Sequence, residues 1–185
     1  MKRRREQLEA VKSLVAIDSY EKQHKMVTLM ADKIFSVIEK CRVELQTSGY
    51  IPANSSFPHE QDVLDALANT LENTALFGDV LLRLPDITHK ILKSKPEWRE
   101  LIQWSVAFVN KTNLLDKQTI KLMHLVSQEL NIVEKDPDYV NPYSENYKRK
   151  QEEQLMASTI TAKKKKKKER RKGPQLSRGH SKGEL

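Results

Sequence analysis

The sequence predicts an all-α protein: an irregular bundle of about five helices with a long first helix and a disordered basic C-terminal tail. Three observations lead there. Apolar residues recur at three- and four-residue steps through most of the first 130 positions, the period of one helix face. Gly (5) and Pro (7) are few in 185 residues, which argues against a turn-rich β protein, and no stretch alternates convincingly as a strand. Charge is split by position: residues 148–185 carry 14 Lys+Arg against 4 Glu, leaving 19 basic and 21 acidic residues before them. The net +8 therefore belongs to the tail, on a nearly neutral body.

Each element follows from local signals. Residues 2–47 contain neither Gly nor Pro, and Met26, Met30, Ile34, Val37, Cys41 and Leu45 make a stripe. Leu8, Val11 and Val15 make an earlier one. The pattern lapses near Asp18-Ser19, so the segment reads as one long bent helix or as two in sequence. Ser48-Gly49-Tyr50-Ile51-Pro52 stops it. After a loop at 53–58, a helix over 59–84 carries Leu64, Leu67, Leu71, Thr74, Phe77, Leu81 and Leu84 on one side. Gly78 inside it costs about 1 kcal/mol relative to Ala, and its small size admits a close neighbouring helix. Pro85 ends or kinks this helix and Asp86 begins a short one through 93. Ser94 as N-cap, Pro96 in the first turn and Glu97 in a capping box open the next, with Trp98, Leu101, Ile102, Ser105 and Phe108 facing inward. Asp116 caps the last, whose stripe is Ile120, Met123, Val126 and Leu130.

The domain organisation follows: a helical domain over 1–135, an extended segment over 136–147 laid across the bundle by its tyrosines, and a disordered basic tail over 148–185.

Catalytic signals are weak. The glycines are scattered singly, so no phosphate-binding loop is visible. The five histidines show no HxxxH or HxH spacing, although His89 and His124 lie within helices that can meet. They read as ordinary core or surface residues. Cys41 sits on an apolar stripe and reads as a small buried hydrophobe; as the only cysteine it excludes an internal disulfide. Asp62 with Asp65, and Glu97 with Glu100, are carboxylates at helical spacing that read as solvated faces. No catalytic, metal or cofactor site is expected, and no run of eighteen apolar residues spans a membrane.

The run from Lys163 to Lys168, continued by Glu169-Arg170-Arg171-Lys172, fits three roles: non-specific nucleic-acid binding, nuclear import, or a solvated tail attracting acidic proteins. No aromatic residue interleaves with it, so base stacking is unsupported. The ending Lys182-Gly183-Glu184-Leu185 is similar to the K-D-E-L retrieval signal of ER residents, with Gly183 in place of the acidic residue. Two N-glycosylation sequons agree with a lumenal protein: Asn54-Ser55-Ser56 and Asn110-Lys111-Thr112. Met1-Lys2-Arg3-Arg4 enters a charged helix without the apolar core of a signal peptide, so a lumenal reading expects an upstream signal missing from this chain.

The stretch Glu72-Asn73-Thr74-Ala75-Leu76-Phe77-Gly78-Asp79-Val80-Leu81-Leu82-Arg83-Leu84-Pro85 resembles the central signature of the coiled-coil domain-containing protein 134 family. Lys2-Arg3-Arg4 with Arg5-Glu6-Gln7-Leu8, the segment Trp98 to Thr112 with Trp104, and Ser127-Gln128-Glu129-Leu130 with Glu134-Lys135-Asp136 match in the same order. So do Arg171-Lys172-Gly173-Pro174 and Ser177-Arg178. The resemblance implies a small helical, non-enzymatic glycoprotein of the ER lumen, partly secreted, with Asn110 at the family's sequon and Asn54 outside it. It implies support for biogenesis of the chaperone endoplasmin at the translocon and oligosaccharyltransferase machinery, limiting its hyperglycosylation. It further implies inhibition of the ERK and JNK pathways, read as indirect, and a nuclear adaptor role as the alternative. The coiled-coil label finds no sustained a/d heptad beyond the first helix. Phe77, Gly78, Asp79 and Arg83 are the candidate partner-binding residues; the alternative for Asp79 and Arg83 is a local (i, i+4) ion pair over core packing.

Overall fold

A computed structural model describes residues 2–144, 147, 149, 151–156 and 159–160. The chain divides into two units, Met1–Ser144 and Glu145–Leu185. The first is all-helical: α1 (Lys2–Val15), α2 (Tyr20–Thr47), α3 (Gln61–Arg83), α4 (Pro85–Ser94), α5 (Pro96–Lys111) and α6 (Lys117–Glu129), with no strand among the described residues. In the second, the described residues are helical, with Gln151 donating to the Tyr147 hydroxyl at 3.1 Å and Arg149 4.0 Å from Glu153. The basic run 163–172 and the ending 182–185 lie outside the described residues.

The expected long first helix is two helices, which raises the number from five to six. Ser19 caps α2 by accepting from the Lys22 amide at 3.4 Å, and the Gln23 side chain donates to the Leu14 carbonyl at 3.0 Å. One break thus satisfies orphan groups of both helices. The long element is α2, with 28 residues spanning roughly 42 Å at 1.5 Å per residue. It ends in a Schellman motif: Gly49 is left-handed at φ 70°, and the Tyr50 amide bonds the Leu45 carbonyl at 3.2 Å. Asn131 does the same after α6, at φ 54° with Ile132 bonded to Ser127 at 2.8 Å.

α3 is the axis of the bundle and packs against all five other helices. Val80, Leu81 and Leu82 leave at most 1% of their surface exposed. Between α2, α3 and α5 the Phe35 ring lies 4.7 Å from Phe77 and 5.0 Å from Trp98. Gly78 fulfils the expectation of close approach, because a Cβ there would meet Val126 Cγ2 at 2.9 Å and Met123 Cε at 3.3 Å. Asp116 caps α6 as expected, accepting from the Thr119 amide at 2.7 Å.

Several faces are rotated from their expected register. In α2 the buried set is Val27, Ala31, Ile34, Phe35, Ile38, Cys41 and Leu45, and Met26 is exposed. In α1, Leu14 is buried and Val15 is exposed; in α6, Leu122 is buried and Ile120 is exposed. Ser94 does not cap α5. It closes α4, its hydroxyl donating to the Ile91 carbonyl at 2.8 Å, and Lys95 stands at the cap position without a side-chain bond.

Candidate functional site

The best-defined polar centre grows from two residues one turn apart on α3. Asp79 is 3% exposed, and Arg83 Nη1 reaches its Oδ1 at 2.5 Å. The (i, i+4) spacing makes this pair local, as the alternative reading of the sequence had it. α1 supplies a third member: Arg4 Nη2 lies 2.5 Å from Asp79 Oδ2. That contact is an ion pair without hydrogen-bond alignment, and Arg4 Nη1 is buried with no acceptor. Two partly covered guanidinium groups thus share one buried carboxylate.

The segment after α6 closes this centre from outside. The Tyr143 ring lies 4.2 Å from the Arg83 guanidinium, a cation–π contact. Asn141 is buried and donates to the Leu82 carbonyl at 2.8 Å, satisfying an acceptor in the last turn of α3. Its own Oδ1 accepts from the Tyr143 amide at 2.9 Å. Closer to α6, the Gln128 side-chain oxygen accepts from the Asp136 amide at 3.1 Å. Glu129 bridges His89 of α4 at 3.0 Å and the Tyr139 hydroxyl at 2.8 Å. The His89 bond holds the Glu129 carboxyl below its ordinary range, against burial that raises it and with help from Tyr139. Burial, with Glu129 beside it, pushes the Tyr139 hydroxyl well up, so it stays a donor. Residues 132–143 are therefore a polar strap over the ends of α3 and α6.

Among the sequence-predicted contact residues, the structure brings Asp79 and Arg83 together and buries Phe77 and Gly78 against α2 and α6. Phe77 is 1% exposed, so it builds the core and offers no surface to a partner. Tyr143 lies across the bundle as the tyrosines of 136–147 were expected to, although its partner Arg83 was not foreseen; Arg4 and Asn141 were missed as members of this centre. Arg4 and Asn141 lie far from Asp79 in sequence, and nothing in their local pattern points to it.

Both sequons are displayed. Asn54 is exposed in a tight turn whose Ser55 amide and side chain bond back to Ile51 at 2.9 Å each. Ala53, just before it, takes a left-handed φ of 69°. Asn110 is exposed on the last turn of α5, while the Thr112 hydroxyl donates to the Val109 carbonyl at 2.8 Å. His89 and His124 face Glu129 and Gln128 respectively rather than each other. Burial pushes the Cys41 thiol up, against a Thr70 hydrogen bond, so it is a poor nucleophile. Asp62, Asp65, Glu97 and Glu100 are exposed. Among the described residues no three His, Cys, Asp or Glu side chains converge to hold a metal, and no helix is long and apolar enough to cross a membrane.

The comparisons with known proteins agree along the whole body. A family model described as "ERK and JNK pathways, inhibitor" matches residues 1–177. A Xenopus tropicalis protein named coiled-coil domain-containing protein 134 is 36% identical over 188 residues, covering 97% of this chain and 82% of the relative. The Mus musculus protein of the same name is 37% identical over the same shares. These names are those of a pathway inhibitor and a coiled-coil domain protein, not of enzymes. No solved structure matches.

Proposed function

The chain belongs to the family described as inhibitors of the ERK and JNK pathways, and on that premise we propose that it works by binding, as a non-enzymatic accessory protein of the ER lumen. In this reading it supports biogenesis of the chaperone endoplasmin at the translocon and oligosaccharyltransferase machinery and limits endoplasmin hyperglycosylation. Part of it is secreted. Its effect on ERK and JNK signalling follows indirectly from what it does to lumenal clients.

The observation that carries the reading is the exposed Asn110 sequon. The exposed Asn54 sequon adds to it. The test is made in cells expressing the natural coding sequence. Endoglycosidase treatment increases the mobility of the protein, Asn110→Gln removes that shift or most of it, and depletion produces a slower, glycosidase-sensitive form of endoplasmin. An unglycosylated protein concentrated in the nucleus, with endoplasmin unchanged, defeats the proposal. That outcome favours the second reading, a nuclear adaptor or nucleic-acid-associated protein acting through Lys163 to Lys168.

A further inference from the structure

A groove of about 410 Å³ lies between the loop after α2 and the last two turns of α5, within the roughly 300–1,000 Å³ range of small-ligand sites. Ile51 and Pro52 from the loop and Trp104 and Phe108 from α5 make its walls apolar, and Lys111 is its one charged residue among those described. Ile51 is 57% exposed, so this surface is left to water. The Trp104 ring is held by Phe108, 5.1 Å away ring to ring, and by the Arg42 guanidinium, 5.3 Å from its centroid. Asn54 is itself part of the lining. Its turn is pinned, since the Asn54 amide donates to the Ile51 carbonyl at 3.2 Å beside the two Ser55–Ile51 bonds. The Asn54 side chain is spent on no hydrogen bond among the described residues. Asn110, the other sequon, is exposed on α5 but does not line the groove. A group carried on Asn54 therefore starts inside the groove, and one carried on Asn110 does not.

From this arrangement we propose that the groove seats the first N-acetylglucosamine of a glycan on Asn54. The linkage joins Asn54 Nδ2 to the anomeric carbon of the sugar. The amide gives up one proton, and the pyrophosphate of a lipid-linked oligosaccharide donor leaves. The C–H face of the sugar ring covers Trp104 and Ile51, and its hydroxyl and acetamide oxygens accept from Lys111 and water. A neutral occupant with one apolar face matches walls that carry a single cation. The inference rests on the lumenal reading and deepens it: the Asn54 glycan covers apolar surface, whereas the Asn110 glycan stands in solvent.

The test uses protein purified from cells that express the natural coding sequence and are restricted to high-mannose glycans. Mass spectrometry reads occupancy at each sequon, and Asn54 carries the part of the mobility shift that Asn110→Gln leaves. Acrylamide quenching of tryptophan fluorescence reads the seat; Trp98 is only 8% exposed, so a change reports Trp104. Asn54→Gln roughly doubles the quenching constant by uncovering the ring. Ser56→Ala, which removes the sequon and leaves the asparagine, does the same. Trimming with an endoglycosidase that leaves one N-acetylglucosamine changes it little, and so does Asn110→Gln. In a Trp104→Phe background the dependence on Asn54 disappears. A bare Asn54 beside a glycosylated Asn110 overturns the proposal and leaves the lumenal reading standing; both sequons bare defeat that reading too. A glycosylated Asn54 with quenching unchanged in both sequon variants overturns the seat, because the glycan then points into solvent. A rise in Asn54→Gln without one in Ser56→Ala overturns it as well, since the turn and not the sugar is then responsible. So does a rise on trimming, which places the cover in the outer mannoses.

Discussion

The junction of α2, α3 and α5 and the junction of α1, the strap and α3 close the same bundle by opposite means. At the first, Phe35, Phe77 and Trp98 meet ring to ring, with neighbours such as Leu81 and Ile102 fully buried. At the second, Asp79, Arg4, Arg83, Asn141 and Tyr143 meet atom to atom. Apolar packing is non-directional and scales with area, so it tolerates exchange of shape within limits. The polar closure depends on each group finding one partner, because a buried charge left alone is costly. The difference separates what holds the bundle together from what fixes where its first helix and last segment lie.

Single truncations do not reveal this contrast, whereas group replacement does. Phe77→Ala is expected to cost about 3–5 kcal/mol in denaturant melts, through lost burial and the cavity left behind. Asp79→Ala is expected to cost about 2–3 kcal/mol, the low side for a broken buried pair because the Arg4 side chain is 30% exposed. Replacing the whole triad, Arg4→Met with Asp79→Leu and Arg83→Met, is expected to recover most of that loss, since apolar isosteres of buried ions are often neutral or better. A triad variant as unstable as Asp79→Ala alone contradicts the contrast. It would show that the ions hold stability and not only position.

Gly78 lies between the two regimes in sequence and belongs to the first. Its expected effect is smaller. Alanine gains about 1 kcal/mol in helix propensity. A Cβ placed 2.9 Å from Val126 Cγ2, on a stiff and fully buried β-branched side chain, costs more than that gain. Gly78→Ala therefore destabilises by about 1–2 kcal/mol net. In a Val126→Ala background the same change turns stabilising. If Gly78→Ala is harmless in both backgrounds, α3 and α6 are not as close as the geometry has them.

The legibility of the sequence divides along the same line. Periodicity placed α3 and α5 correctly because their stripes are built of large residues: Leu67, Phe77 and Leu81, then Trp98, Leu101 and Phe108. It mis-set α2 where Met26 and Met30 outweigh Val27 and Ala31 in hydrophobic size. The true face and the expected one share Ile34, Cys41 and Leu45, and Val27, Ala31 and Ile38 are buried where Met26, Met30 and Val37 were expected. The Asp79–Arg83 pair was readable from its spacing on one helix. Arg4 and Asn141 were not, and of Tyr143 only its lying across the bundle was, because their partners are set by tertiary packing across most of the chain. Ser94 carried a true capping signal, but its helix runs into it from the N-terminal side and its hydroxyl is used there.

The smallest effect concerns the strap and is read by acid. Glu129 is bonded to His89 and Tyr139, and the His89 bond is the largest cause holding its carboxyl below the ordinary value. A carboxyl with a depressed folded pKa contributes stability above its unfolded pKa, about 4.3, and loses it as pH falls through the folded value. Hydrogen exchange of the amides of Asp136, Tyr139 and Tyr143 is therefore expected to accelerate below pH 4, while that of Leu81 and Leu82 in the core of α3 stays slow. Glu129→Gln should reproduce part of that acceleration at pH 7, since an amide keeps the shape and gives up the charge-assisted bonds. If the strap and the α3 core lose protection together with acid, the strap is not a separately closing element. The polar closure would then be as cooperative with the bundle as its aromatic core.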